Sequence, residues 1–309
     1  MSTPALEGRV AIVTGAGRGL GRAYALALGA AGARVVVNDL DGEAAEQTCE
    51  LVRAQGGQAS AVVSAVGSSE AAEGLVRVAT EQYGRLDVMV TNAGVLRDRV
   101  LWKMSDEDFD VVIETHLRGT FTCARAAAIA MRAQGEGGRI IVVGSPAGQH
   151  GNFGQTNYAA AKAGIVAFAR VWSLELARDR ITVNAVIPTA WTQMTASIPA
   201  YAPLAALIEA GGTLPPLART EHALGLAQEC APLVVFLASE AAAALSGQAI
   251  GIGGDRLTLY SHPAQLKVID RSGGWDAEAI AQAWEAELAP LAQASGITLP
   301  ALELDPSAR

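Results

Sequence analysis

The stretch Arg9-Val10-Ala11-Ile12-Val13-Thr14-Gly15-Ala16-Gly17-Arg18-Gly19-Leu20-Gly21 decides the fold. Its first half is a continuously apolar run, the pattern of a strand buried on both faces, as in a parallel sheet. Its second half, TGAGRGLG, carries glycines at 15, 19 and 21. Leu20 departs from the common G-x-G-x-x-G string, so the pattern is T-G-x-x-x-G-x-G. The physical need is the same: a strand must turn sharply, bring its backbone close to a pyrophosphate, and aim helix N–H groups at that anion. Gly15, Gly19 and Gly21, with Arg18 and Leu20 beside them, are therefore candidate cofactor contacts.

Outward from this turn, the next apolar run, VVVND, ends at Asp39, eighteen residues past Gly21. A carboxylate there can accept hydrogen bonds from the adenosine ribose hydroxyls and repel a 2′-phosphate, which favours NAD over NADP. Arg18 pulls the other way, because a cation in the glycine turn could pair with that phosphate. The strand-end position gives Asp39 the greater weight. Besides Arg9–Thr14, strand patterns fall at Ala33–Asn38, Gln58–Val63, Leu86–Thr91, Gly138–Gly144, Ile181–Ile187 and Gln248–Ile252. Helical patterns alternate with them near Leu20–Ala31, Gly42–Gln55, Ser69–Tyr83, Asp106–Ala133, Tyr158–Ala177 and Leu226–Ser239. This alternation predicts an α/β protein, a parallel sheet with helices on both faces. Two stretches break the rhythm. Thr189–His222, rich in Pro, Gly and Ala, follows a strand's C-terminal end, where a substrate lid would sit. The tail from Asp255 to Arg309 is expected to be an appendage with one helix near Asp276–Leu291, which Trp275 and Trp284 could pin to the body or to another subunit.

Half of the 309 residues are hydrophobic and 17% are charged, so a sizeable core can form. A net charge of −8 with scattered Lys and Arg argues against nucleic acid as a partner. Cys49, Cys123 and Cys230 are far apart and show no metal-ligand spacing, and a sparse odd count suits a reducing compartment. The start, MSTPALEGRV, has no cationic leader before an apolar run, and no apolar stretch is long enough for a membrane span. The expectation is a cytoplasmic protein with no membrane partner and no metal.

NYAAAKAG places Tyr158 and Lys162 four residues apart, on one face of a helix. A phenol is a poor base at neutral pH, and a nearby ammonium favours its ionised form. Such a phenol can take a proton from an alcohol or give one to a ketone. The pair alone says little, since exposed helices often carry it. Ser145 strengthens it: the residue lies thirteen positions earlier, directly after the apolar run RIIVVG, at the sheet edge where ligands bind.

TGAGRGLG, TNAG (Thr91–Gly94), Ser145 and Tyr158-x-x-x-Lys162, in this order and spacing, resemble the short-chain dehydrogenase/reductase family. The resemblance covers about residues 6–254. It implies one Rossmann-type, doubly wound domain with a seven-stranded parallel sheet, residues 255–309 being an extension. It implies Tyr158 as acid/base, Lys162 binding the nicotinamide ribose and tuning Tyr158, and Ser145 orienting substrate. Asn92, Ala93 and Gly94 would line the cofactor, as would Pro188 at the end of the sixth strand. Homodimers or homotetramers built on the two long helices are also implied. Three positions depart from the pattern: His116 replaces the usual Asn of the long helix, Thr189 the usual Gly after Pro188, and Ala65 an Asp near adenine. VVVNDL, NAGVLRDR, SDEDFD, THLRGTF and GNFGQTNYAAAK resemble the (3R)-hydroxyacyl-CoA dehydrogenase domain of peroxisomal multifunctional enzyme type 2, which implies NAD-linked oxidation of a 3-hydroxyacyl thioester. A CoA ligand needs cations, and the lid contains one, Arg219; Arg97, Arg99 and Lys103 would serve if their loop faces the cleft. A steroid or terpenoid alcohol is the competing substrate, and a non-catalytic dinucleotide sensor the competing class.

Overall fold

Continuous apolar runs demand burial on both sides, and in the computed structural model, which describes residues 5–196, 201–209 and 212–296, they share one sheet. The strands are β1 (Val10–Thr14), β2 (Arg34–Asp39), β3 (Gln58–Val63), β4 (Val88–Thr91), β5 (Gly138–Val143), β6 (Ile181–Pro188), a short pair β7 (Ala190–Trp191) and β8 (Gly225–Leu226), then β9 (Ala249–Gly253) and β10 (Arg256–Tyr260). The main sheet has eight of them in the order β10-β9-β6-β5-β4-β1-β2-β3. All seven strands expected from sequence are present and pair in parallel. The eighth, β10, pairs antiparallel with β9 and comes from the stretch read as an appendage. β1 pairs with β2 on one side and β4 on the other, so the winding reverses there and opens a crevice at the C-terminal strand ends.

Successive side chains of each strand serve opposite cores. Ala11 and Val13 join Leu28, Cys49, Val52 and Leu233, under the helices α1 (Gly19–Ala30), α2 (Gly42–Ala54) and, later in the chain, Ala227–Ala238. Val10 and Ile12 join Leu75, Met131 and Ile165 on the other face. That face is covered by α3 (Ser69–Tyr83), by α4 (Asp106–Val112) continuing into α5 (Gly119–Gln134), and by α7 (Thr156–Glu175), which follows the short α6 (Pro146–His150). The long helix expected over Asp106–Ala133 is interrupted by a wide π turn at Ile113–Arg118. Such turns widen the helix locally and recur near functional sites.

The segment expected to be a lid holds α8 (Gln193–Ala196), α9 (Ala202–Glu209) and α10 (Pro216–Thr220), with a small core of Leu204, Leu214, Ala218 and Leu224. Arg219 ties its far end to the body: it pairs with Glu229 at 2.9 Å, in the helix α11 (Ala227–Ala238), and with Asp255 at 2.7 Å. Beyond β10 lies α12 (Ala277–Ala283), continued by a π turn and a 3-10 turn to Leu291. No residue from Gly254 to Gly296 is buried, and Trp275 and Trp284 are exposed in the single chain.

At the sheet's N-terminal edge, buried Asp87 accepts 2.8 Å hydrogen bonds from the Val10 amide and from Arg85 Nε. Asp87→Ala leaves both donors unpaired and is expected to cost roughly 2–3 kcal/mol of stability, read from urea unfolding.

Candidate active site

The glycine turn is built on close approach. Gly15 has φ +61° and would place a Cβ 2.7 Å from the Ala93 Cα; a Cβ on Gly21 would sit 2.1 Å from the Gly15 carbonyl oxygen. Thr14 and Asn92 lock the turn to the end of β4: Thr14 Oγ1 accepts from the amides of Asn92 and Ala93, and Asn92 Nδ2 donates to the Thr14 and Gly15 carbonyls at 3.0 and 3.1 Å. Arg18 precedes α1 without a side-chain cap, so the first N–H groups of that helix remain directed at the crevice. An anion such as a pyrophosphate fits this cradle.

Asp39 stands at the end of β2 beside the turn. Its Oδ2 accepts from the Gly17 amide at 2.8 Å and its Oδ1 from the Asp41 amide at 3.1 Å. A Cβ on Gly17 would fall 2.7 Å from Asp39 Oδ2, so Gly17 matters here as much as the three glycines of the sequence pattern. The middle glycine of GAG was the signal for it. Arg18 forms an ion pair with Asp41. Ala65 is exposed in the loop after β3.

Across the crevice, Ser145 follows the end of β5 and caps α6 by accepting from the Ala147 amide at 3.2 Å. α6 packs closely on α7, since a Cβ on Gly148 would lie 2.6 Å from the Lys162 carbonyl carbon. The structure brings Ser145, Tyr158 and Lys162 together at this point. Buried Lys162 donates from Nζ to the Val143 carbonyl at 2.6 Å and lies 5.6 Å from the centroid of the Tyr158 ring. Burial lowers the Lys162 ammonium to about 7. Burial also pushes the Tyr158 phenol above its ordinary value; a hydrogen bond with Ser145 holds it back, and the Asp98 carboxylate adds to the rise. The lowering expected from Lys162 is not found: burial dominates, while Nζ donates to Val143 and lies over the face of the phenol ring.

Two amides that sequence reading passed over fix the start of α7. Asn157, fully buried, donates to the carbonyls of Arg97 and Asp108 at 3.1 and 2.8 Å while its Oδ1 accepts from the Tyr158 amide. Gln155 donates to Asp98 Oδ2 at 2.8 Å. They stitch the loop bearing Arg97, Arg99 and Lys103 alongside Tyr158, with those three side chains exposed. Their signal was two carboxamides flanking the tyrosine in GQTNY. Pro188 closes β6. The lid reaches the glycine turn through Thr192, whose Cγ2 is the nearest atom, at 3.7 Å, to a Cβ built on Gly19. Trp191, Tyr201 and His222 stack edge-on as a packing cluster within the lid, and His150 is exposed. Among the described residues no His, Cys, Asp and Glu group could hold a metal, and no helix is long and apolar enough to cross a membrane.

The profile of the short chain dehydrogenase family matches residues 9–201. The chain belongs to that family. As a short-chain dehydrogenase it is an oxidoreductase acting on CH–OH groups, in a family that uses NAD or NADP. It is 41% identical over 288 residues to a hydroxyacyl-CoA dehydrogenase of Mycobacterium tuberculosis, covering 89% of this chain and 87% of that one. It is 45% identical over 201 residues to the peroxisomal multifunctional enzyme type 2 of Mus musculus, covering 62% of this chain but only 27% of that longer protein. A crystal structure of a short chain dehydrogenase from Mycobacterium avium superposes with a TM-score of 0.81 at 37% identity, covering 94% of this dehydrogenase and 98% of that chain.

Gly21→Ala drives a methyl group into the Gly15 carbonyl, and is expected to weaken dinucleotide binding tenfold or more by calorimetric titration. The depressed Lys162 pKa has a signed consequence. Between about 7 and the ordinary lysine value near 10.4 the unfolded chain binds the extra proton, so stability rises with pH across that window. Lys162→Met is expected to flatten that rise in urea titrations at pH 7 and 9.5.

Proposed function

We propose that this dehydrogenase interconverts a secondary alcohol and a ketone with NAD, and that the alcohol is a 3-hydroxyacyl thioester of coenzyme A. Asp39 carries the cofactor reading. Its carboxylate stands at the end of β2, bonded to the glycine turn, and the cation that could counter it, Arg18, is drawn aside to Asp41. Ribose hydroxyls would donate to that carboxylate, whereas a 2′-phosphate would meet it as a like charge.

NAD when bound supplies the carbon that accepts hydride. The turn at Gly15, Gly19 and Gly21 would hold its pyrophosphate, Asn92, Ala93, Gly94 and Pro188 would line its nicotinamide half, and Lys162 would bind the adjoining ribose. Ser145 orients the substrate oxygen against Tyr158, which takes the hydroxyl proton in oxidation and returns it in reduction. A phenol held above its ordinary value is protonated at neutral pH, ready to donate to a ketone.

The hydroxyacyl-CoA dehydrogenase matched over nearly its whole length supports the thioester reading. So does the loop fastened to the first turn of α7, which carries Arg97, Arg99 and Lys103 exposed and is suited to an anionic handle. A steroid or terpenoid alcohol is the second reading. It is favoured by Arg219, whose charge is taken up by Glu229 and Asp255, and by the apolar lid core. Assembly into homodimers or homotetramers is supported by the exposed Phe121 and Ile129 of α5 and Val171 and Leu174 of α7.

Tyr158→Phe is expected to retain NADH binding while turnover falls a thousandfold or more; a variant with a tenth of the wild-type rate removes Tyr158 from the mechanism. Alcohol oxidation is expected to speed up and ketone reduction to slow down as pH rises, because only the ionised phenol accepts a proton. Asp39→Ala is expected to narrow the NAD/NADP preference in kcat/KM, and an unchanged ratio refutes its assigned role. NADH formation with 3-hydroxyacyl-CoAs of differing length and hand, beside hydroxysteroids, decides between the two substrates.

A further inference from the structure

The loop Arg97-Asp98-Arg99-Val100-Leu101-Trp102-Lys103 turns Leu101 and Trp102 out to solvent, at 69% and 77% exposure. The loop before α7 does the same with Phe153, at 85%. Backbone joins the two loops. The Arg99 amide donates to the Gly154 carbonyl at 2.8 Å, and Arg99 and Gln155 face each other as an isolated parallel bridge. The backbone beneath these side chains is pinned at several points. Asn157 holds the Arg97 carbonyl, Gln155 holds Asp98, and a 3-10 turn over Leu101–Lys103 puts the Lys103 amide 2.9 Å from the Val100 carbonyl. A fixed backbone thus presents an indole to solvent, an exposure that a folded chain gains from only where something covers it.

Charge narrows what that is. These seven residues carry three cations and one carboxylate, in a chain whose net charge is −8. The carboxylate, Asp98, is engaged by Gln155 Nε2 at 2.8 Å. Among the described residues, the Arg97 and Arg99 guanidiniums donate to the backbone carbonyls of Leu96 and Asp98 and form no ion pair. Lys103 is followed by Asp106, Glu107 and Asp108 in the first turn of α4, so the two arginines suit a phosphate better, and each can grip one with two donors. An indole beside guanidiniums suits a nucleotide: the ring stacks on a base and the cations meet the oxyanions. A steroid offers neither partner. Reach is also met. Gln155 lies three residues before Tyr158 and Trp102 three beyond Arg99, so the two aromatic residues are within roughly 25 Å along the backbone. The pantetheine arm of coenzyme A is about as long as four extended residues, roughly 14 Å, and the diphosphate and ribose carry its purine farther.

We propose that Trp102, with Arg97 and Arg99, is the subsite for the adenosine 3′-phosphate end of a coenzyme A thioester, the indole stacking on the purine and the guanidiniums meeting the phosphates. This rests on the acyl-CoA reading of the substrate. The pinned backbone matters here, because a stacking surface held in place before the ligand arrives loses little freedom on binding. Contacts at this remote end hold the thioester without changing as its carbinol reacts. Their loss therefore falls on KM, and only for substrates that own the handle.

The test gives the enzyme one 3-hydroxyacyl group on two carriers, coenzyme A and N-acetylcysteamine, the second keeping the thioester but lacking purine and phosphates. NADH formation by wild type, Trp102→Ala, Trp102→Phe and Arg99→Ala is measured with both, beside the oligomeric state of each variant by light scattering. Trp102→Ala is expected to raise KM for the CoA ester about tenfold, with kcat and the N-acetylcysteamine ester changed less than about twofold. Trp102→Phe, which keeps a stacking face, is expected to recover most of the loss. Arg99→Ala is expected to raise the CoA KM about fivefold and to make it less sensitive to salt. Adenosine 3′,5′-bisphosphate is expected to compete with the CoA ester in wild type and tenfold more weakly in Trp102→Ala. If Trp102→Ala changes both esters alike, or neither, the subsite is refuted while the acyl-CoA reading stands. If it breaks up an oligomer, the patch is an interface between copies of this chain and the proposal fails. Should neither ester turn over while a hydroxysteroid does, the acyl-CoA reading falls and takes the subsite with it.

Discussion

The candidate active site of this molecule hangs on one buried lysine. Lys162 has lost nearly all its contact with water, and the Val143 carbonyl at the end of β5 accepts a hydrogen bond from it at 2.6 Å. Taking an ammonium out of water is expensive unless its donors are met, so the end of β5, the first turns of α7 and the ring of Tyr158 must keep their relative places. Several contacts enforce this: α6 pressed onto the backbone of Lys162 through Gly148, Asn157 reaching both Arg97 and Asp108, and Gln155 bound to Asp98. None of these contacts involves the glycine turn. The cradle is held separately, by Thr14, Asn92 and the contact of Gly21 with Gly15.

The strands were legible because burial on both faces leaves a continuous apolar signature, and the Tyr158, Lys162 and Ser145 positions because helical spacing and a strand end fix them before any tertiary contact is known. Three things were not legible. β10 alternates Leu257 and Leu259 outward with half-buried Thr258 and Tyr260, and as an edge strand it lacks the run of buried residues that marks the others. The π turn has no local signature, since Ile113–Arg118 has ordinary helix formers and the wide turn appears only with His116 packed against the Gly94 loop. The direction of the Tyr158 pKa could not be foreseen, because spacing places Lys162 on the same face without saying how deeply the phenol is buried.

The lid illustrates how context reassigns residues. Trp191 and Tyr201 are as apolar as a substrate wall needs to be, yet they meet edge-on, Tyr201 also meets His222, and both pack against a small core of their own. Arg219, the cation that a CoA phosphate would want, is held between Glu229 and Asp255. Composition identified this segment as unusual, but only partners reveal that its polar side chains are structural. Arg97, Arg99 and Lys103, in the loop before α4, are exposed.

That segment leaves the body through β7 and re-enters through β8, and the two strands pair side by side, Ala190 with Gly225 and Trp191 with Leu226. Exit and return therefore coincide at a single doorway in the Rossmann body. Whatever lies between them can lengthen, shorten or be exchanged wholesale without moving a strand of the main sheet. Selection for a new alcohol can therefore act on a detachable cassette, and the redox machinery beneath it need never be rebuilt.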